Sequence, residues 1–315
     1  RRYDDYANTA GIWFALNAGG GGTNRILMSC NNTLDDGWDA NVSGLSVLYD
    51  STHSVFNHDW QHQALVWTGS AYRFYVDGKF VASGNSSANK IQVDDKMALF
   101  NEADSASGTY NNCGTGVMID SIRIVAGQVL YSGGSSAGDV AFTPGDITDP
   151  NYFTVDGGSS TASITGSTTH LLSLPQSMMG ELLNDKGTIA SSIDPKWRPR
   201  WVAVSKTGDS YPRLIGDSKW GRSSIAFAEA LEYPNGFSGG SYTKTSGKQG
   251  VLVEDRVGFA SNTQGAQFQD VFNGDFTLEF WFKTYHVISD GGYPRIFDLC
   301  GGNSKTSVQI ICAVT

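Results

Sequence analysis

The chain is predicted to be all-β and antiparallel, and three observations predict it. Only 17% of the 315 residues are charged, while 12% are aromatic and 38 are glycine. Helical bundles need Glu, Lys and Arg on their outer faces, whereas strands favour aromatic and β-branched residues and tight turns favour glycine. Period-two alternation recurs along the chain, and good helical spacing is scarce. Asp77-Gly78 lies between two alternating runs, and Asp-Gly supplies the positive φ of a type I′ hairpin turn.

The elements follow in order. Ile12–Leu16, a glycine-rich gap and Arg25–Cys30 open the chain. Tyr72, Phe74 and Val76 alternate with Arg73 and Tyr75 before Asp77-Gly78 turns the chain into Lys79–Ser83. Val117–Val125 is a further β-rich run. Residues 132–170 are rich in Gly, Ser, Thr and Asp and contain Pro144 and Pro150, which predicts a module boundary crossed by a partly extended linker. Ser177–Leu183 has the pattern of a short helix. Phe276, Leu278, Phe280 and Phe282 share one face of a strand and Thr277, Glu279, Trp281 and Lys283 the other, the pattern of a half-buried strand. Phe280–Lys283 followed by Arg295–Cys300 parallels the opening segments, with Trp, Arg and Cys in the same order in both copies. The second copy then leaves only Ser307–Val314. Three strands with one apolar face cannot bury it alone. Completion is expected from further polypeptide, from residues 170–275, or from a neighbouring subunit.

Composition excludes several classes. A net charge of −9 offers no footprint for a phosphate backbone, so no nucleic-acid partner is expected. No apolar stretch reaches the roughly 18 residues of a membrane span. Arg1–Asp5 lacks an initiator Met and an apolar core, and reads as a fragment or trimmed start rather than a signal peptide. Cys30, Cys113, Cys300 and Cys312 show no CxxC spacing, and Cys300 and Cys312 read as reduced buried thiols. Asn31, Asn41 and Asn85 head glycosylation sequons.

Several segments together resemble laminin-G-like, concanavalin A-like jelly-roll domains. Asn273-Gly-Asp-Phe-Thr-Leu-Glu-Phe-Trp-Phe-Lys283 is similar to an early strand of that family. Trp60–Trp67 followed by Tyr72–Ser83 resembles its "W-H-H-V-A … Y-V-D-G" hairpin, and Met118–Ile124 its closing "I-D-E-I-R-I" strand. Gly216–Gly221 with Ile225–Phe227 is similar to a module opening. Leu130-Tyr131-Ser132 and Phe142-Thr143-Pro144 resemble an ending common in phage and marine viral structural proteins. The resemblance implies antiparallel two-sheet jelly-roll sandwiches: a module over 1–145, a linker over 146–169, and a second, incomplete module over 170–315. It implies roles in glycan binding, adhesion or structural packing, among which fold does not decide.

Glycosidases of this fold carry Glu-x-Asp-x-x-Glu, which places an acid and a nucleophile on one strand face. No such spacing surrounds Glu102, Glu181, Glu229, Glu232, Glu254 or Glu279, so no catalytic residues are expected. Gly134–Gly138 matches G-x-S-x-G, but a loop leading to Pro144 replaces the strand and helix of a nucleophile elbow. His53, His58 and His62 lack metal-ligand spacing and read as structural. By alternation Asp120 should face apolar surroundings with Met118, Ile122 and Ile124. The resemblance extends a structural Ca²⁺ to Asp120; the alternatives are a carboxylate held by backbone N–H groups or a bulge that turns it outward. Trp13 and Trp281 oppose the core-facing residues of their strands, and Trp38 lies in the acidic loop Asp35–Asp39. Each can stack on a sugar ring, or pack beneath a loop or a neighbouring subunit. The expected function is a non-enzymatic structural or adhesion protein at a virion or extracellular surface, partnered by copies of itself, other surface proteins or glycans. The alternatives are a glycan-binding lectin module and a glycosidase with an unrecognised acid pair.

Overall fold

Strands form where aromatic and β-branched residues alternate, and the computed structural model is built from such runs. It describes residues 11–19, 23–31, 47–48, 59–68, 71–85, 97–99, 117–155, 160–166, 168–173, 200–205, 213–226, 249–254, 274–284, 295–300 and 307–314. Among the described residues there is no helix, and the fold is all-β. Trp38, His53, His58, Cys113, Asn41 and the expected helix over Ser177–Leu183 lie outside the described residues.

In chain order the strands are β1 (Gly11–Gly19), β2 (Thr23–Asn31), β3 (Val47–Leu48), β4 (Gln61–Trp67), β5 (Ala71–Val76), β6 (Lys79–Asn85), β7 (Met97–Leu99), β8 (Val117–Ala126) and β9 (Tyr152–Thr154). They continue as β10 (Thr161–Ser163), β11 (Thr168–Ser173), β12 (Arg200–Ser205), β13 (Arg213–Ile215), β14 (Ser224–Ala226), β15 (Gln249–Glu254), β16 (Phe276–Thr284), β17 (Arg295–Cys300) and β18 (Ser307–Val314). One sheet runs β12-β15-β7-β17-β18-β1-β2-β3, and another runs β13-β14-β8-β16-β4-β5-β6 with β11 also on β8. Pairing is antiparallel apart from β1 against β18.

The sheet order cuts across the expected modular division. β16 lies between β8 and β4, so a strand from the second half is hydrogen-bonded on both edges to strands from the first. β16 is therefore completed by residues 61–67 and 117–126, a source not among those expected, while β12 and β15 of the expected 170–275 segment join the sheet that holds β17 and β18. The two copies of the short repeat also diverge. β1 and β2 form one antiparallel pair from Gly11↔Asn31 to Gly19↔Thr23, whereas β16 and β17 belong to different sheets.

Asp77 and Gly78 take φ of 48° and 72°, the left-handed pair that a type I′ turn requires. The turn is tied back to β4, since Asp77 N–H donates to His62 O at 2.9 Å and His62 N–H to Asp77 Oδ1 at 2.8 Å. Ala141 N–H and Phe142 N–H both donate to Gly78 O. A Cβ on Gly78 would stand 1.9 Å from Phe142 O, so glycine is required there for space as well as for φ.

β16 departs from the half-buried expectation. Every residue from Phe276 to Phe282 is buried, Glu279 completely. The reason is the chain after β8. Gly127, at φ 77°, lets it leave the strand and turn back, and Thr277 Oγ1 holds it by donating to Gln128 O and accepting from Leu130 N–H. Leu130, Tyr131, Phe142 and Phe153 then pack on Ala64, Val66, Tyr75, Phe80 and Val125. Much of the stretch predicted as linker is thus core covering: Ile147 and Phe153 are buried, β9 pairs with β10, and β11 joins the sheet at β8.

Two outcomes follow. Gly78→Ala should lower unfolding free energy by at least ~1 kcal/mol, measured by urea titration, because the new methyl meets a backbone oxygen at positive φ. Residues 170–315 expressed alone should not give a cooperatively melting monomer by near-UV circular dichroism and sedimentation, because β16 loses both neighbours; adding residues 1–169 in trans should restore the transition.

Candidate functional site

Register brings three ionisable side chains to the middle of one sheet face. Glu279 of β16 stands opposite Ala64 of β4 and Arg123 of β8, and His62 of β4 stands opposite Trp281. Partners across a sheet share a face, so His62, Arg123 and Glu279 converge, and the chain that recrosses this face adds Tyr131. Glu279 Oε1 accepts from Arg123 Nε at 2.8 Å and pairs with Nη2 at 2.6 Å. Its Oε2 accepts from Tyr131 OH at 2.8 Å and from His62 Nε2 at 3.0 Å. An ionised carboxylate only accepts, so the His62 tautomer carries its proton on Nε2. Arg123 Nη1 donates to Asp149 O at 2.7 Å and Tyr152 O at 2.8 Å. The covering segment thus takes up Arg123 Nη1, while Nη2 meets Glu279 as an ion pair without a further hydrogen bond.

The electrostatics follow from this geometry. Burial pushes the Glu279 carboxyl up, but the Arg123 charge and the bonds from His62 and Arg123 outweigh it and hold the group at about 2. Burial, and then the Glu279 charge, push the Tyr131 phenol well above its usual value, which keeps it a donor. Desolvation works against the Arg123 charge, yet Glu279 and Tyr131 raise its pKa. The side chains of His62, Arg123 and Glu279 have no solvent exposure. Around His62 stand Phe142, Trp281 and Tyr131, all edge-on, at 5.7, 5.2 and 6.4 Å between centroids. A carboxylate with three hydrogen-bond donors, an ion pair and no solvent exposure acts as a structural anion. It is poorly placed to exchange a proton with a substrate.

Asp120 lies beside this cluster, and its position corrects the alternation argument. Ile122 pairs with Phe280 and Ile119 with Phe282, so Asp120 and Ser121 together oppose Trp281 in a β-bulge. The extra residue moves Met118 to the register of Lys283, on the opposite face from Ile119, Ile122 and Ile124. Asp120 is buried; its Oδ1 accepts from Ser121 Oγ at 3.2 Å and its Oδ2 from Trp220 N–H. Burial drives its carboxyl up to about 6, against the Trp220, Ser121 and Lys219 hydrogen bonds that lower it; Asp146 adds a small upward push. Among the described residues no group of three His, Cys, Asp or Glu side chains is close enough to hold a metal ion.

The loop that meets Asp120, residues 216–223, also covers Trp281. Asp217 accepts from Trp60 Nε1 at 3.3 Å and pairs with Lys283 Nζ at 2.8 Å, and Ser224 Oγ donates to Asp217 O. Trp281 itself is 4% exposed, with its indole N–H on Gly145 O at 3.2 Å. The backbone of Trp13 lies in β1, paired with Ser29 and Gln309, and its side chain is outside the described residues. Trp13, Trp38 and Trp281 are therefore not brought into one described site. Gly134–Gly138 forms an exposed turn in which Ser135 and Ser136 N–H both donate to Asp139, with neither strand before it nor helix after it.

Arg123 and Tyr131 are the residues that sequence reasoning missed, and Glu279 was weighed only as a lone acid. The available signal was charge inside two apolar runs, Glu279 within Phe276–Phe282 and Asp120 and Arg123 within Met118–Val125. Compared with family models, curated protein sequences and solved structures, the chain matches none of them.

Glu279→Gln should cost ~3–5 kcal/mol of unfolding free energy, because it leaves Arg123 buried without its counter-charge. The pH dependence has two opposed parts. Glu279 is lowered, so its contribution is complete above the unfolded carboxylate range and is lost as pH falls towards about 2. Asp120 is raised, so it penalises the fold above about 6 and the penalty fades on acidification. Wild type should therefore gain stability relative to Asp120→Asn as pH falls from neutral to about 5, measured as paired denaturation curves across that range.

Proposed function

We propose that this chain is a non-enzymatic structural or adhesion protein of two-sheet jelly-roll architecture, a component of a virion surface or appendage. The observation that carries the proposal is where the family-like motifs fall. Tyr75 and Phe80 of the Tyr72–Ser83 hairpin, Val125 just after the Met118–Ile124 motif in β8, and Leu130, Tyr131 and Phe142 of the phage-like ending pack together, with Tyr131 and Phe142 stacked at 3.6 Å. The motifs thus serve as one packing unit. The ionisable groups of that unit hold one another and the covering backbone, which suits a load-bearing core better than a reaction centre.

A lectin module is the competing reading, and calcium at Asp120 would accompany either. Purified protein on a glycan array should show no saturable binding, and it should release no reducing ends from β-glucans. Saturable binding to one glycan class would favour the lectin reading. Turnover abolished by replacing a single Glu or Asp would replace both with a glycosidase.

A further inference from the structure

The loop over residues 216–221 places an ammonium group in an aromatic corner. Trp220 and Trp281 stand at 75° with their centroids 6.1 Å apart. Lys219 Nζ sits 4.6 Å from the Trp281 centroid and 5.7 Å from that of Trp220. The two lysines of this region are held differently. Lys283 is paired with Asp217 at 2.8 Å, whereas among the described residues Lys219 Nζ has no carboxylate within ion-pair distance and lies against the two rings. Lys219 is exposed, and a hydrated primary ammonium gains little at an exposed aromatic face.

The corner is pre-organised. Its floor is fixed by the Trp281 N–H on Gly145 O and by the edge of His62 beneath the ring. The backbone of its wall is fixed by the Trp220 main-chain N–H on Asp120 and by Ser224 on Asp217 O. The acceptors of the wall are the Asp120 carboxylate and the main-chain carbonyl of Asp217, whose own carboxylate is paired with Lys283.

We propose that the corner between Trp220 and Trp281 recognises quaternary ammonium groups, and that Lys219 is its resident, displaceable occupant. A trimethylammonium group is larger and less strongly hydrated than the Lys219 ammonium, so it fills a two-ring corner at a smaller desolvation cost. Displacing Lys219 moves only an exposed side chain into water. The site is independent of whether the protein is a structural component or a lectin.

The test is titration of the full chain with choline chloride at constant ionic strength, read by indole N–H chemical shifts and tryptophan fluorescence. Wild type, Lys219→Ala and Trp220→Ala are compared, with circular dichroism to check folding. The neutral isostere 3,3-dimethylbutan-1-ol serves as the uncharged control. Lys219→Ala should bind choline about tenfold more tightly than wild type, Trp220→Ala should lose binding, and the alcohol should bind more weakly than choline in each protein. Lys219→Ala binding no more tightly than wild type would overturn the proposal. Equal binding of the alcohol and choline would also overturn it, since the corner would then be an apolar contact without cation recognition. These two comparisons decide the matter even if Trp220→Ala does not fold.

Discussion

The ion pair between Glu279 and Arg123 is the constraint around which the described core is arranged. Two opposite charges with no exposure are tolerable only when their remaining donors and acceptors are met. Glu279 is met by His62 and Tyr131, and Arg123 Nη1 by the carbonyls of Asp149 and Tyr152, with Nη2 held only by the ion pair itself. Those partners come from β4 and from the segment after β8. The charge pair therefore requires three strands and a recrossing loop to be present together. It also selects the register of β16: a slip of one residue would carry Glu279 to the face of Phe280 and Phe282 and expel the phenylalanines from it.

The bulge in β8 supplies the second constraint. Without an extra residue, Asp120 would lie on the same face as Ile122 and Ile124, with no donor to meet it. With Asp120 and Ser121 both opposite Trp281, Ile119 remains on the apolar face, and the carboxylate reaches the backbone of the 216–223 loop. A charge that would have been misplaced becomes the anchor of that loop. The loop in turn covers Trp281 and carries Lys219 and Trp220. Core and loop are coupled through one carboxylate whose protonation is displaced by its own burial.

This organisation shapes the functional reading. The central strand is buried on both faces, and partly covered aromatic and charged groups stand in loops such as 216–223. Charge within the core ties β16 to β8 and to the covering segment. An assembly component and a binding module are both compatible with such a body, and the marginal loops distinguish them.

The local elements were legible in the sequence because they rest on short-range physics. Alternation at Phe276–Phe282 and Tyr72–Val76 identified strands, Asp77-Gly78 identified a turn of positive φ, and the scarcity of charge identified an all-β chain. One Asp120 alternative was legible too: a backbone donor, Trp220 N–H, meets the carboxylate, and the bulge beside it leaves the side chain buried rather than turned outward. What only the tertiary structure decided is which side of each strand would be dry. Residues 132–170 look like a linker by their Gly, Ser and Thr content, because the few buried apolar residues among them, Phe142, Ile147 and Phe153, are spaced irregularly and show no period. Glu279 and Arg123 are 156 residues apart, and alternation says only that each shares its neighbours' periodicity. Their meeting depends on β16 inserting between β8 and β4. That long-range pairing is set by the total burial of the sheet, a quantity no window of sequence contains.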